Sequence, residues 1–300
     1  MPKIAVLASF NMDLVMRVER RPESGETLQG DFAMHLGGKG FNQAVAARRL
    51  GAVVVVTGRV GDDDFGRMFL AALDDEGIDR RAVVIDPTAG TGVATIYVEP
   101  DGANTIVQSP RANLNTTASD INHALPYLEG AAIGMTQREL SIDGTRRFLQ
   151  LLQPRISTIF NTAPAGLIPP DVLAMSHILI ANQIEAATLT GLACATQAEC
   201  LSSARALLDS RQLVAITMGI EGSLGVTPDG ETFAAAYDVP VVDTTGAGDA
   251  FCAALAVRLA EGAELPDAMR FANAAGALAC TQSGAFPAMP FRRDVDLLTR

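Results

Sequence analysis

The stretch VVDTTGAGDAF, residues 241–251, sets three small residues, Gly246, Ala247 and Gly248, directly before Asp249 and an apolar helical run. Backbone without bulky side chains approaches a ligand closely, and the free amides of a helix start make an anion site. Glycine also permits the turn angles that aim successive amides at one point. A carboxylate beside a bound anion is poor for storing phosphate. It suits a base that takes the proton from an attacking hydroxyl. The competing reading is a glycine-rich helix start with Asp249 as its cap.

A second constellation lies near the N-terminus. Asn11 and Asp13 follow the first apolar run, and GGKGFNQAVAARRL begins at Gly37. Asn11, Asp13, Lys39 and Asn42 beside bare backbone suit a compact polyol, whose hydroxyls each donate and accept. The segment is not a phosphate loop of the Gly-Lys-Ser/Thr kind, because that ending and spacing are missing. A plain strand-to-helix turn is the alternative here.

Something must hold these groups in place. KIAVLAS, AVVVVTGRV, AAIGMT, STIFNT, HILIAN and LVAITMG read as buried strands, and DVPVVDTT as a strand leading into Gly246. Helical patterns over 40–50, 65–76, 143–152, 185–190, 198–210 and 250–261 fall between or after them. Near-continuous aliphatic strands alternating with helices predict an α/β, doubly wound, mostly parallel sheet. DLVMRVERRPESGETLQGDFAMHL and GTGVATIYVEPDGANTIVQS break the pattern, with the alternation and turn signals of antiparallel hairpins. They predict one domain over 1–300 carrying a discontinuous β lid at about 13–36 and 91–109.

Composition narrows the function. Nearly half of the 300 residues are apolar and the formal net charge is −11. So acidic a chain repels nucleic acid and anionic lipid, and no apolar run reaches the roughly 20 residues of a membrane span. The N-terminus lacks the basic start of a signal peptide, and four cysteines without a C-x-x-C pair read as reduced thiols; both fit a cytoplasmic protein. His35, His123 and His177 lack zinc-site spacing.

Taken together and in this order, the motifs resemble those of the ribokinase-like, or PfkB-type, carbohydrate kinases. GGKGFNQAVAARRLGA is similar to the family's N-terminal signature and DTTGAGDAF to its C-terminal one. NTAPA (161–165), NQIEAATLTG (182–191) and TMGIEGS (217–223) fall between them in the family's order, so the likeness spans essentially the whole chain. It implies an ATP-dependent transfer of a phosphoryl group to a primary hydroxyl of a small sugar, ribose first. A nucleoside, deoxyribose or fructose as acceptor, or a non-catalytic sugar-binding regulator, are the alternatives.

The resemblance also implies roles. Asp249 matches the base, and Gly246, Ala247 and Gly248 the anion hole. Asn11, Asp13, Gly38, Lys39, Asn42 and Glu139 match sugar contacts. Asn182, Thr217, Gly219, Gly222 and Asn273 match nucleotide-binding positions, while Glu185 matches one that organises Mg²⁺ through water. Asp243 and Thr245 match a monovalent-cation (K⁺) site, and paired lid strands imply a homodimer. Some positions depart from the pattern. Phe41 replaces a usual Ala and either packs internally or narrows the pocket. Arg111 replaces a usual Gly and, like Arg138, is either a surface arginine or a grip for an anionic substrate group. Ala288 stands where a hydroxyl is expected, and His35 either packs under the lid or edges the pocket.

Overall fold

The computed structural model describes residues 1–300. The strands are β1 (Lys3–Leu7), β2 (Asn11–Arg17), β3 (Asp31–Gly37), β4 (Val53–Gly61), β5 (Asp79–Asp86), β6 (Gly92–Val98), β7 (Asn104–Ser109), β8 (Ile133–Gln137), β9 (Ser157–Asn161), β10 (Ile178–Asn182), β11 (Leu213–Thr217), β12 (Ser223–Thr227) and β13 (Gly230–Ala234). The helices are α1 (Lys39–Arg49), α2 (Asp64–Asp75), α3 (Ala118–Leu128), α4 (Ile142–Leu152), α5 (Pro170–Ala174), α6 (Gln183–Thr190), α7 (Gln197–Leu208), α8 (Ala247–Ala260), α9 (Leu265–Ala279), α10 (Ala285–Ala288) and α11 (Arg292–Leu298).

Nine strands form one sheet in the order β13-β12-β11-β10-β9-β8-β1-β4-β5. The seven from β11 to β5 run parallel, and β12 and β13 close one edge antiparallel. Alternate residues of each strand feed two separate cores: Ile4, Val6, Val54 and Val56 pack on one face, Ala5, Leu7 and Val55 on the other. This is the doubly wound arrangement expected from aliphatic strands covered on both faces. Helix starts are written locally. Thr117 with Asp120, Asn182 with Glu185 and Thr196 with Glu199 each form a reciprocal capping pair.

A second sheet has the order β3-β2-β6-β7. Two antiparallel hairpins, β2/β3 and β6/β7, meet along a parallel β2/β6 seam. The register sets Asp13 opposite His35 and Ala94, with Gln108 opposite Ala94, so these residues share one face. Phe32, Met34 and Val107 belong to the other face and are exposed.

Two expectations need correction. Residues 238–245 form no strand: Pro240 lacks a donor, and the Val242 and Asp243 amides bond to the Cys280 carbonyl rather than to a strand. The following helix begins at Ala247, three residues before Ala250, which places Asp249 inside its first turn. The edge strand β5 and the β12/β13 hairpin were not expected at all.

Gly38 precedes α1 at φ 95°, ψ 127°, and a Cβ there would lie 2.7 Å from the Ser9 carbonyl oxygen. That backbone region is nearly glycine's alone. Gly38→Ala should therefore destabilise the fold by about 1–3 kcal/mol in denaturant unfolding; an unchanged midpoint would mean that the turn relaxes freely.

Candidate active site

In an open parallel sheet, ligands bind beyond the carboxyl ends of the strands, where the chain order switches direction. Here the order turns at β1, between β8 and β4. Polar residues gather at those ends: Ser9 just after β1, Gln137 ending β8, Asn161 ending β9, Asn182 ending β10 and Thr217 ending β11. The N-termini of α1 and α8 face them.

Around α1 the organiser is Glu139. Its Oε2 accepts from Ser9 Oγ (2.6 Å), Asn11 Nδ2 (3.1 Å) and the Lys39 amide (3.0 Å), so it caps α1 from outside the helix. Its Oε1 accepts from Gln108 Nε2 of the second sheet at 3.1 Å. Buried Asn113 accepts from the Phe10 amide and donates to the Phe10 carbonyl and Asn11 Oδ1, fixing which way the Asn11 amide points. Burial pushes the Asp13 carboxyl up to about 7, helped by Glu139 and Asp249 and opposed by Lys39. Asn11, Asp13, Gly38, Lys39 and Glu139 thus form one cluster under the second sheet.

Asp249 lies beside that cluster. Its Oδ2 accepts from Asn42 Nδ2 (3.0 Å) and its Oδ1 from Gln43 Nε2 (3.1 Å). Lys39, Asn42 and Gln43 share one face of α1 by helical spacing. Burial raises the Asp249 carboxyl to about 6 despite Lys39 and the two amide donors. Burial works against the Lys39 ammonium too, but the carboxylates of Asp249, Glu139 and Glu185 outweigh it and hold the ammonium above its ordinary value. The helix caps itself without this side chain. Gly246, at φ 85°, takes the cap position, and a Cβ there would meet Met289 at 2.6 Å. The Ala250 amide closes on the Gly246 carbonyl and the Ala247 amide leans to Thr244 (3.3 Å), leaving the Gly246, Gly248 and Asp249 amides without a backbone partner. A side chain at Gly248 would meet open space.

Two cavities meet at this helix start. One, of about 580 Å³, is lined by Lys39, Asn161, Asn182, Glu185, Gly246, Asp249 and Cys252, with Asn104 and Ile106 of the second sheet above. The other, of about 430 Å³, is largely apolar, with Ile220, Gly222, Tyr237, Val239, Phe251 and Asn273 in its wall. Thr217, Gly219, Thr244 and Gly248 belong to both. Asn273 also ties down the turn after β13 through Ala234 and Ala235.

The metal expectations meet a definite donor set. Glu185 is buried, its oxygens already accepting from the Asn182 amide, Asn182 Nδ2 and Thr162 Oγ1. No cluster of three His, Cys, Asp or Glu is shaped to hold a metal, so Glu185 suits a hydrated ion reached through water rather than a directly ligated one. Asp243 accepts from the Thr245 amide and hydroxyl and from the Gly284 amide, which outweigh its burial and keep its carboxyl below the usual range. These bonds tie two loops together through the carboxylate itself, and buried Ala288 offers no hydroxyl.

The departures resolve by contact. Phe41 is fully buried among Phe10, Phe69 and Phe286 and does not edge a pocket. Arg138 donates to the Pro164, Ala165 and Leu167 carbonyls. Arg111, at φ 46°, donates to the Thr91 carbonyl and lies 4.0 Å from Asp63. Both guanidiniums are engaged by backbone carbonyls. His35 packs toward the Gly284 turn. Ser9, Gln43, Asn113, Gln137 and Asn161 join this cluster of side chains without having been singled out from sequence; Gln43 and Asn161 lie inside the quoted motifs GGKGFNQAVAARRL and NTAPA, and Ser9 and Gln137 stand at the ends of aliphatic runs.

The whole length of the chain has known relatives. Residues 1–292 match the model of the pfkB family carbohydrate kinases. A ribokinase of Bacillus subtilis (strain 168) is 35% identical over 301 residues, covering 99% of each chain. Ribokinase from Giardia lamblia superimposes with a TM-score of 0.90 at 30% identity, covering 98% of this chain and 97% of that one. Arabidopsis thaliana ribokinase complexed with ribose and ATP gives 0.89 at 28% identity, covering 100% and 98%.

Carbon-detected NMR of the side-chain carboxyls should find Asp13 and Asp249 titrating well above the ordinary aspartate value of about 4, and Asp243 below it. Lys39→Met should move Asp249 further up, because it removes the nearest positive charge. Ordinary titration of both Asp13 and Asp249 would contradict the buried cluster.

Proposed function

Because the chain belongs to the pfkB family of carbohydrate kinases, and is an ATP-dependent sugar kinase, we propose that its acceptor is ribose and that Asp249 is the base. One observation carries the reading: the polar and the apolar cavity share the bare start of α8, with Asp249 on the polar side. In this reading the adenosine occupies the apolar cavity and the phosphate chain crosses at Gly248. The sugar lies under the second sheet, against the cluster of Asn11, Asp13, Gly38, Lys39, Asn42 and Glu139. Small, closely spaced polar groups support a compact sugar over a nucleoside, and the full-length likeness to ribokinases supports ribose.

Asp249 takes the proton of the primary hydroxyl as the oxygen attacks the γ-phosphorus. The bond to the β–γ bridging oxygen breaks, and ADP leaves with the electron pair. Free amides at Gly246, Gly248 and Asp249 receive the charge that develops on the γ-phosphoryl oxygens; one such donor is worth about 10²- to 10³-fold in rate. Lys39 balances the buried carboxylates so that Asp249 stays ionised near neutral pH. Glu185 and Asn182 would hold Mg²⁺ through water, and the ion would neutralise charge on the phosphates. Asp243 and Thr245 would be the residues to hold a monovalent cation such as K⁺. The four-stranded sheet acts as a lid that excludes water, and its exposed Phe32, Met34 and Val107 support a homodimer across paired lids.

Asp249→Asn should lower kcat about 10²- to 10⁴-fold while calorimetry shows sugar binding retained. Near-normal turnover would remove Asp249 as the base. The acidic limb of kcat/KM should fall between pH 6 and 7, since protonation of Asp249 (about 6) or Asp13 (about 7) disables the site; a flat profile down to pH 5 would contradict it. Among ribose, deoxyribose, fructose and nucleosides, ribose should give the highest kcat/KM.

A further inference from the structure

Gln43 and Gln137 are fully buried, and no step above uses them. They belong to a chain of side-chain amides behind Asp249. Gln137 Nε2 donates to the Leu7 carbonyl of β1 (3.1 Å) and to Gln43 Oε1 (3.3 Å). Gln43 Nε2 donates to Asp249 Oδ1 (3.1 Å) and to Asn161 Oδ1 (3.3 Å). Asn161 Nδ2 in turn donates to the Ile180 carbonyl of β10 at 3.2 Å.

The direction of every amide follows from its ends. A backbone carbonyl only accepts, so Leu7 forces the Gln137 nitrogen toward β1, and the same nitrogen reaches the Gln43 oxygen. Ile180 forces the Asn161 nitrogen toward β10, which leaves the Asn161 oxygen facing Gln43. Gln43 thus meets a donor on one side and an acceptor on the other, and its NH₂ has one orientation left. That orientation aims a neutral donor at Asp249 Oδ1.

We propose that Gln43, held by Gln137 and Asn161, is a positioning residue for the reaction: it locks the Asp249 carboxylate in place and favours its ionised form. The inference rests on the assignment of Asp249 as the base. An amide donor on one oxygen lone pair restrains the carboxylate without neutralising it, and leaves lone pairs on the cavity side for the substrate hydroxyl. Asn42 does the same for Oδ2. Two strand carbonyls, one on β1 at the switch point and one on β10, thereby orient one catalytic group.

The test is a pH–rate profile of Gln43→Met, which keeps length and burial and removes the donor. kcat should fall about tenfold, the scale of one hydrogen bond to a charged group. The acidic limb of kcat, read at saturating sugar so that the bound sugar masks Asp13, should move up by about one pH unit, with sugar affinity within about twofold of the parent. Gln137→Met frees Gln43 to rotate without touching Asp249; it should shift the limb the same way by less, and it carries the test if Gln43→Met does not fold. Parental kcat and an unmoved limb in the folded variants would overturn the proposal, as would a loss confined to sugar KM. Asp249→Asn separates the two levels. If it abolishes turnover while both glutamine variants behave as the parent, only this inference fails; if it retains turnover, the base assignment fails first.

Discussion

The structure turns on keeping one largely buried carboxylate ionised. An isolated buried carboxylate takes up a proton, because desolvation penalises the charge by several kcal/mol. Asp249 is therefore surrounded by compensation: amide donors from Asn42 and Gln43 behind it, the Lys39 ammonium beside it, and a helix start beneath it. The compensation is incomplete, and its carboxyl remains above the ordinary range. The proposed role of base calls for such a compromise, since a fully stabilised carboxylate would be too weak to draw a proton from an alcohol.

Much of the fold serves that group. α1 and α8 converge on the site, so Gly38 and Gly246 at their starts carry backbone angles that other residues avoid. α8 is buried almost all round by small residues, which lets it pack closely against α9 and α1. Glu139 sits at the junction of three elements: it caps α1, accepts from the loop after β1 and takes a hydrogen bond from Gln108 of the second sheet. A single carboxylate thereby links that sheet to the strand ends beneath it.

The parallel core was readable from sequence because strands covered on both faces are almost wholly aliphatic, as in LVAIT and ILIAN. β5 escaped because charged residues open it at the sheet edge, and β12 and β13 escaped because SLGVT and GETFA are short and carry few aliphatic residues, although Pro228, Asp229 and Gly230 repeat the turn signal of residues 100–102. The stretch 238–245 misled in the opposite direction: Val241 and Val242 carry strand propensity, but both are exposed and pair with no strand. Around the site, glycines and charges were legible because their types are unusual in a core. The amides of Gln43, Gln137, Asn161 and Asn113 were not, since their meaning lies in contacts between residues as many as 206 positions apart.

A crystal structure with ribose and a non-hydrolysable ATP analogue is the most direct measurement. The terminal phosphate should lie against the free amides of Gly246, Gly248 and Asp249, with the sugar's primary hydroxyl in hydrogen-bond reach of the Asp249 carboxylate. A terminal phosphate bound away from α8, or a sugar hydroxyl that no oxygen of Asp249 can reach, would contradict it.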